Sequence, residues 1–142
     1  MTELRRPVPV PDEASAPYWE AAAHHRLSLP RCAPCAALCL PPSSICPSCH
    51  STEPDFTWEE VEGRGRVRSW TVIRQSFLPG FAEELPFVLV DVELDAQEEL
   101  RMIARLLDGP DAQLRLGSRV QLGFEDLPGG AAVPAFELEA SP

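Results

Sequence analysis

Arg31-Cys32-Ala33-Pro34-Cys35-Ala36-Ala37-Leu38-Cys39-Leu40-Pro41-Pro42-Ser43-Ser44-Ile45-Cys46-Pro47-Ser48-Cys49-His50 is the stretch from which the rest of this 142-residue chain is read. Its apolar residues recur with neither the helical nor the strand period, so it has no hydrophobic face to bury. Four of its five cysteines form two C-x2-C pairs, ten residues apart, with Pro34 and Pro47 inside the two turns. Two residues between thiolates make a turn tight enough to aim both sulfurs at one ion, and two such turns complete a tetrahedral set. Cys32, Cys35, Cys46 and Cys49 are therefore the expected ligands of Zn2+, with iron in a rubredoxin-like site as the competing metal. A site closed by four thiolates has no open position, which makes the metal structural. Bound zinc contributes roughly 10–16 kcal/mol in finger peptides, enough to fold about 20 residues that bury little apolar area. The bland alternatives are four buried cysteines or a redox C-x2-C pair. Two pairs of equal spacing, outside a strand-then-helix context, speak against both.

Cys39 is left over from this arithmetic. It reads first as a small buried hydrophobe between Leu38 and Leu40, and second as a reactive thiol or replacement ligand. His24 and His25 point two ways from one helix, and His50 reads as a cap on the second cysteine turn rather than a ligand.

Upstream, ten of the 16 prolines fall within the first 54 residues, which excludes long helices there. Pro7, Pro9 and Pro11 favour an extended arm over residues 1–14. Ser15 offers an N-cap, and Tyr18, Trp19, Ala22, Ala23 and Leu27 follow at near-helical spacing, so one amphipathic helix is predicted over 16–26.

Downstream, the pattern changes to alternation with β-branched and aromatic residues. Strands are predicted at 56–60, 67–75, 87–94, 100–107, 119–124 and, as a final edge strand, 132–138. Gly63-Arg64-Gly65 is read as a turn or bulge. The segment 110–116 has room for one helical turn. Five or six short strands in about 85 residues point to a small closed barrel of the OB type. The expected fold is mainly β: arm and helix over 1–28, zinc ribbon over 29–53, barrel over 54–142.

On a strand, residues two apart share a face. Arg64, Arg66, Arg68 and Arg74, with Trp70, are thus expected on one side, and Val67, Ser69, Thr71 and Ile73 on the other. This is the one basic patch in the sequence. It reads equally as a solvated face or as an anion or partner site, for which arginine's planar fork suits phosphate.

The balance of 12 basic and 22 acidic residues, a net charge of −10, argues against non-specific nucleic-acid binding. The longest apolar run, residues 35–40, is far below the roughly 18–20 residues that span a bilayer, and the N-terminus lacks a secretory apolar region. A cytoplasmic protein with no membrane or nucleic-acid partner is expected. No Walker loop, G-x-S-x-G, G-x-G-x-x-G or H-E-x-x-H occurs in the sequence, and no catalytic set is visible.

With these pieces in hand, the chain resembles the acyl-CoA-associated zinc-ribbon OB-fold family over nearly its whole length. The resemblance rests on Tyr18-Trp19-Glu20, Arg31-Cys32-Ala33-Pro34-Cys35, Pro41-Pro42, Cys46-Pro47-Ser48-Cys49, Gly63-Arg64-Gly65, Ser69-Trp70-Thr71, Pro86-Phe87-Val88, Val92-Glu93-Leu94 and Leu116-Gly117. It departs from the family at Ala36 and His50, where glycine usually follows each cysteine turn, and at Glu99, where glycine is frequent. The resemblance implies an accessory subunit, non-catalytic alone, that forms a hetero-oligomer with a thiolase-fold enzyme. That enzyme would be a thiolase, an acyltransferase or a steroid side-chain aldolase acting on acyl-CoA, with acyl-CoA a ligand at the interface. Arg64, Arg66, Arg68, Trp70 and Arg74 are the expected CoA- or partner-binding surface. The competing readings are a nucleic-acid-binding ribbon and barrel, and a stand-alone thioester enzyme using Cys39 with a histidine base.

Overall fold

The computed structural model describes residues 5–140. The first four positions of the predicted arm lie outside the described residues. Helix α1 (Ala16–Ala23) starts after Ser15, with Pro17 in its first turn. The Ser15 hydroxyl does not cap the helix; it donates to Asp12 Oδ1 at 2.7 Å. The helix ends three residues earlier than predicted because the chain turns left-handed at His25, with φ of 58°. There the His24 and Arg26 N–H groups both donate to the Ala21 carbonyl.

Strand β1 (Ser28–Arg31) leads into the cysteine stretch, and β2 (Thr57–Glu60) leaves it. The two pair antiparallel, Ser28 opposite Glu60 and Arg31 opposite Thr57. Thr57–Glu60, predicted as a barrel strand, is thus the closing strand of the ribbon. A strand's alternation states which face is buried but not which neighbour buries it.

The barrel consists of β3 (Arg64–Ile73), β4 (Phe87–Leu94), β5 (Arg101–Leu106), β6 (Arg119–Asp126) and β7 (Ala132–Leu138) in the closed order β3-β4-β5-β7-β6. β7, predicted as an edge, is instead the closing strand. It lies antiparallel to β6 along its length and parallel to β5 at Arg105/Ala135 and Leu106/Phe136. Residues 110–116 hold no helical turn: turns at 110–111 and 116–117 flank an irregular stretch from which Ala112 and Leu114 pack onto the core.

Gly65 sits inside β3 and is not a turn. A Cβ there would lie 2.3 Å from the Glu93 carbonyl oxygen, so β4 approaches too closely for any side chain. The bulge falls later, at Arg68, between the Val67/Val92 and Ser69/Asp91 pairs.

Tyr18, Leu27, Leu29 and Leu38 belong to the same buried cluster as Val67, Val90, Val92 and Phe136, so helix, ribbon and barrel share one apolar core. Polar contacts fix the same junction. The Gln97 carboxamide receives the Leu38 N–H at 2.8 Å and donates to the Leu38 carbonyl at 3.0 Å. His25 stacks on Phe124, centroids 5.1 Å apart, and lies 2.6 Å from Asp126.

Candidate metal centre and arginine face

The two cysteine turns are built alike. In the first, the Ala36 N–H donates to the Cys32 carbonyl at 2.8 Å; in the second, the His50 N–H donates to the Cys46 carbonyl at 2.9 Å. Each turn ends in a left-handed residue, Ala36 and His50, both with φ of 63°. The departures from glycine therefore leave the backbone path intact and place side chains in a region that L-residues rarely adopt. Ala36→Gly is expected to stabilise the ribbon by about 0.5–1 kcal/mol, measured by denaturant unfolding of the metal-loaded chain. The loss of side-chain constraint in the unfolded chain opposes the relieved strain, so a destabilised variant would show the strain to be negligible.

The turns bring the Sγ atoms of Cys32, Cys35, Cys46 and Cys49 to within 4.8 Å of one another. Two of the separations, Cys32 to Cys49 and Cys35 to Cys46, are 3.7 Å. Sulfurs about 2.3 Å from a tetrahedral ion stand roughly 3.8 Å apart, so the cluster has the size of a zinc tetrathiolate. Cys32 and Cys46 are buried while Cys35 and Cys49 reach solvent. The Cys49 N–H points at Cys46 Sγ from 3.5 Å, and backbone hydrogen bonding of this kind lowers the Cys46 thiol to about 6, towards the thiolate a metal requires.

Cys39 is the fifth sulfur. Its side chain is buried, 3.8 Å from Cys46 Sγ, and directs its S–H at the Ala37 carbonyl at 3.6 Å. Burial pushes its thiol up to about 12, and among the described residues no hydrogen bond joins it to a histidine. It thus lacks the access and the neighbouring base of a nucleophile. His24 lines a shallow, open hollow beside α1 with Glu20 and Glu60, and His50 is exposed.

The arginine row is arranged differently from the sequence expectation. The bulge at Arg68 shifts the alternation by one, so Ser69 lies opposite Asp91 on the outer face while Trp70 lies opposite inward-facing Val90. Trp70 is therefore not on the face of Arg64 and Arg66, and Ser69 is. The arginines also have internal partners. Arg64 bonds Glu139 at 2.8 Å; Arg66 and Arg68 both reach Glu93 Oε1, at 2.7 and 3.1 Å. Arg74 lies just beyond β3 and has no ion-pair partner among the described residues.

Glu93 stands in the sequence within Val92-Glu93-Leu94, where nothing marks its carboxylate out from the other 21 acidic residues. Its carboxylate is nearly buried and accepts the Glu99 N–H at 2.8 Å besides the two guanidinium groups. The Glu99 N–H first, then Arg66, hold its carboxyl down at about 2 instead of 4.5. A depressed carboxyl contributes its stabilisation above the unfolded value and loses it as protons bind the native state. The Glu93 contribution is thus complete above about pH 4.5 and disappears between 4.5 and 2. In acid titrations followed by circular dichroism, Glu93→Gln is expected to unfold with a shallower dependence across that window. An unchanged slope would remove Glu93 from the acid transition.

Comparison with known proteins settles the family. The model of the rubredoxin-like zinc ribbon domain of ChsH2 matches residues 19–55, and that of its C-terminal OB-fold domain matches 58–125. The chain belongs to the ChsH2 family. A chain of the Ltp2-ChsH2(DUF35) aldolase superimposes with a TM-score of 0.76 at 30% identity, covering 92% of this chain and 98% of that one. A probable enoyl-CoA hydratase alpha subunit of Thermomonospora curvata is 34% identical over 133 residues; the chain spans 39% of its length. A DUF35 domain-containing scaffold protein of Methanocaldococcus jannaschii is 26% identical over 94 residues, 66% of this chain and 64% of that protein. The ChsH2 fold accounts for the order of ribbon and barrel seen here. Among the described residues no helix is long and apolar enough to cross a membrane.

Proposed function

We propose that the chain is a non-catalytic accessory subunit that binds a thiolase-fold enzyme and helps it act on acyl-CoA thioesters, in the manner of steroid side-chain aldolases. The observation that carries this reading is the near full-length likeness to a chain of the Ltp2-ChsH2(DUF35) aldolase. The names of the two further relatives, a hydratase subunit and a scaffold protein, agree with it. So does the chemistry: four cysteines fit a closed structural metal, and the fifth is buried without a base.

In this reading Cys32, Cys35, Cys46 and Cys49 hold a structural Zn2+, which ties β1 to β2 and leaves bond making and breaking to the partner. The chain works by shape: the ribbon is clamped to the barrel through Gln97 and Leu38, so a partner meets one rigid body. Of the residues singled out in the sequence, Arg64, Arg66 and Arg68 organise carboxylates within the chain. Trp70 and Arg74 are left to contact the partner or the CoA it carries.

The test is purification of the tagged chain from its native host at mild salt, with mass spectrometry of stoichiometric companions. A thiolase-fold protein is expected, and the complex, not either part, is expected to turn over an acyl-CoA substrate. Elution alone or with nucleic acid would refute the reading.

A further inference from the structure

The second half of β3 has a free edge. β6 pairs with β3 only from Arg64 to Arg66, whereas β4 accompanies it to Ile73. Backbone bonds from Gly117 and to Ser118 finish at Val67. From Arg68 to Ile73 no described strand covers the side away from β4. Free edges are normally blunted by lysine, proline or a short length. This one is six residues long; the charge and the bulge of Arg68 stand at its start, and beyond them Ser69-Trp70-Thr71-Val72-Ile73 contains neither lysine nor proline.

The loop that follows is anchored at its base and apolar at its tip. Arg6 lies 4.8 Å over the Phe81 ring and bonds Glu125 at 3.2 Å; Arg105 holds Glu84 at 2.7 Å. Gly80 lies against the Arg6 backbone, where a Cβ would stand 2.3 Å from the nitrogen. On this braced loop Phe77 is 92% exposed and Leu78 is 59% exposed. Trp70, on the free edge itself, is 41% exposed. The contacts at Gly80, Phe81 and Glu84 restrain the backbone that carries Phe77 and Leu78, which lowers the entropy cost of ordering the loop on binding.

Charge gives the occupant its character. The chain is strongly acidic, yet Arg74, where the edge meets the loop, lacks an internal carboxylate among the described residues. An anionic membrane would be repelled by the chain as a whole, whereas a protein rim carrying a carboxylate complements Arg74.

We propose that the free edge at residues 68–73, together with Phe77 and Leu78, is the docking surface for the enzyme partner, which adds an extended strand to the barrel. That strand pairs with the β3 backbone, an apolar pocket beside it takes Phe77, and a carboxylate meets Arg74. The inference rests on the accessory-subunit reading and names the surface that serves it.

The experiment compares the wild-type chain, Phe77→Asp/Leu78→Asp and, as a control, Ile103→Asp, each metal-loaded and full length, for affinity to the co-purified thiolase-fold enzyme. Ile103 is also exposed, but it lies on β5 opposite Asp91 of β4, and β4 separates it from the free edge of β3. The double variant is expected to bind at least ~100-fold more weakly with unchanged metal content and melting temperature, and Ile103→Asp to bind as wild type. In the wild-type complex, amides at 69–73 are expected to gain protection from hydrogen exchange. Unchanged affinity of the double variant, or no protection at 69–73, overturns the docking surface while leaving the accessory reading intact. A wild-type chain that binds no thiolase-fold enzyme refutes the accessory reading, and this inference with it. A homodimer lost on Phe77→Asp/Leu78→Asp, with enzyme binding unaffected, would assign the surface to a second copy and also overturn it.

Discussion

A Cys46→Ser chain is expected to retain no stoichiometric metal and to lose the ribbon. Cys46 is the most constrained sulfur: it is fully buried, 3.7 Å from Cys35 and 3.8 Å from Cys39, and receives the Cys49 N–H. The cluster around it offers little else to hold the segment, since its buried members are Cys32, Cys39 and Cys46, with Phe56 at the margin. Structural zinc is worth roughly 10–16 kcal/mol in small ribbons and fingers, comparable to the ~5–15 kcal/mol net stability of a whole domain. Metal content by plasma mass spectrometry is expected to fall from one ion per chain to none, and amides at 32–50 to exchange rapidly. The same collapse should follow a strong chelator added to the wild type. Because Leu27, Leu29 and Leu38 lie in the shared core, the loss is expected to lower the melting temperature of the barrel as well. A Cys46→Ser chain with native exchange behaviour and no metal would show that packing alone forms the ribbon.

Phe136→Ala is expected to cost about 3–5 kcal/mol, the range for removing a fully enclosed aromatic side chain from a core. Phe136 is the largest fully buried side chain among the described residues. It pairs with Leu106 on one side and Leu122 on the other, so it stands where the parallel β5–β7 contact closes the barrel. That contact is short, two residue pairs, and cannot tolerate a cavity beside it in the way a long ladder could. A fall in melting temperature on the order of 10 °C is expected for a domain of this size. Phe136→Leu, which refills most of the volume, should lose much less. If both variants melt together near the wild-type value, β7 is not what closes the barrel.

The limits of sequence reading show most clearly at β3. Its alternation was legible, and so were the arginines, but the bulge was not. A bulge arises where the curvature of a closing barrel demands one extra residue, and nothing in Arg66-Val67-Arg68-Ser69 marks the place. One residue of slip exchanges faces, and with it the assignment of Trp70 and Ser69. Glu93 was equally illegible. A carboxylate becomes a buried anchor only when Arg66, Arg68 and the Glu99 N–H converge on it from separate points of the chain. The free edge at 68–73 belongs to the same class, because an edge is a property of the neighbours a strand lacks.

The cysteine spacing, by contrast, needed no tertiary knowledge. Two C-x2-C turns can aim four sulfurs at one point through local backbone geometry, so the metal cluster is written in twenty consecutive residues. The strands 87–94 and 132–138 were equally local, since each alternates or runs apolar over its full length between turn residues. Sequence alone therefore determined the parts: a closed four-thiolate site, a short helix and a set of barrel strands, in order. Only the tertiary structure decided the partners, pairing Thr57–Glu60 with the ribbon, enclosing β7 and leaving half of β3 open, because neighbours in a sheet are chosen by long-range packing rather than by the pattern of any one strand.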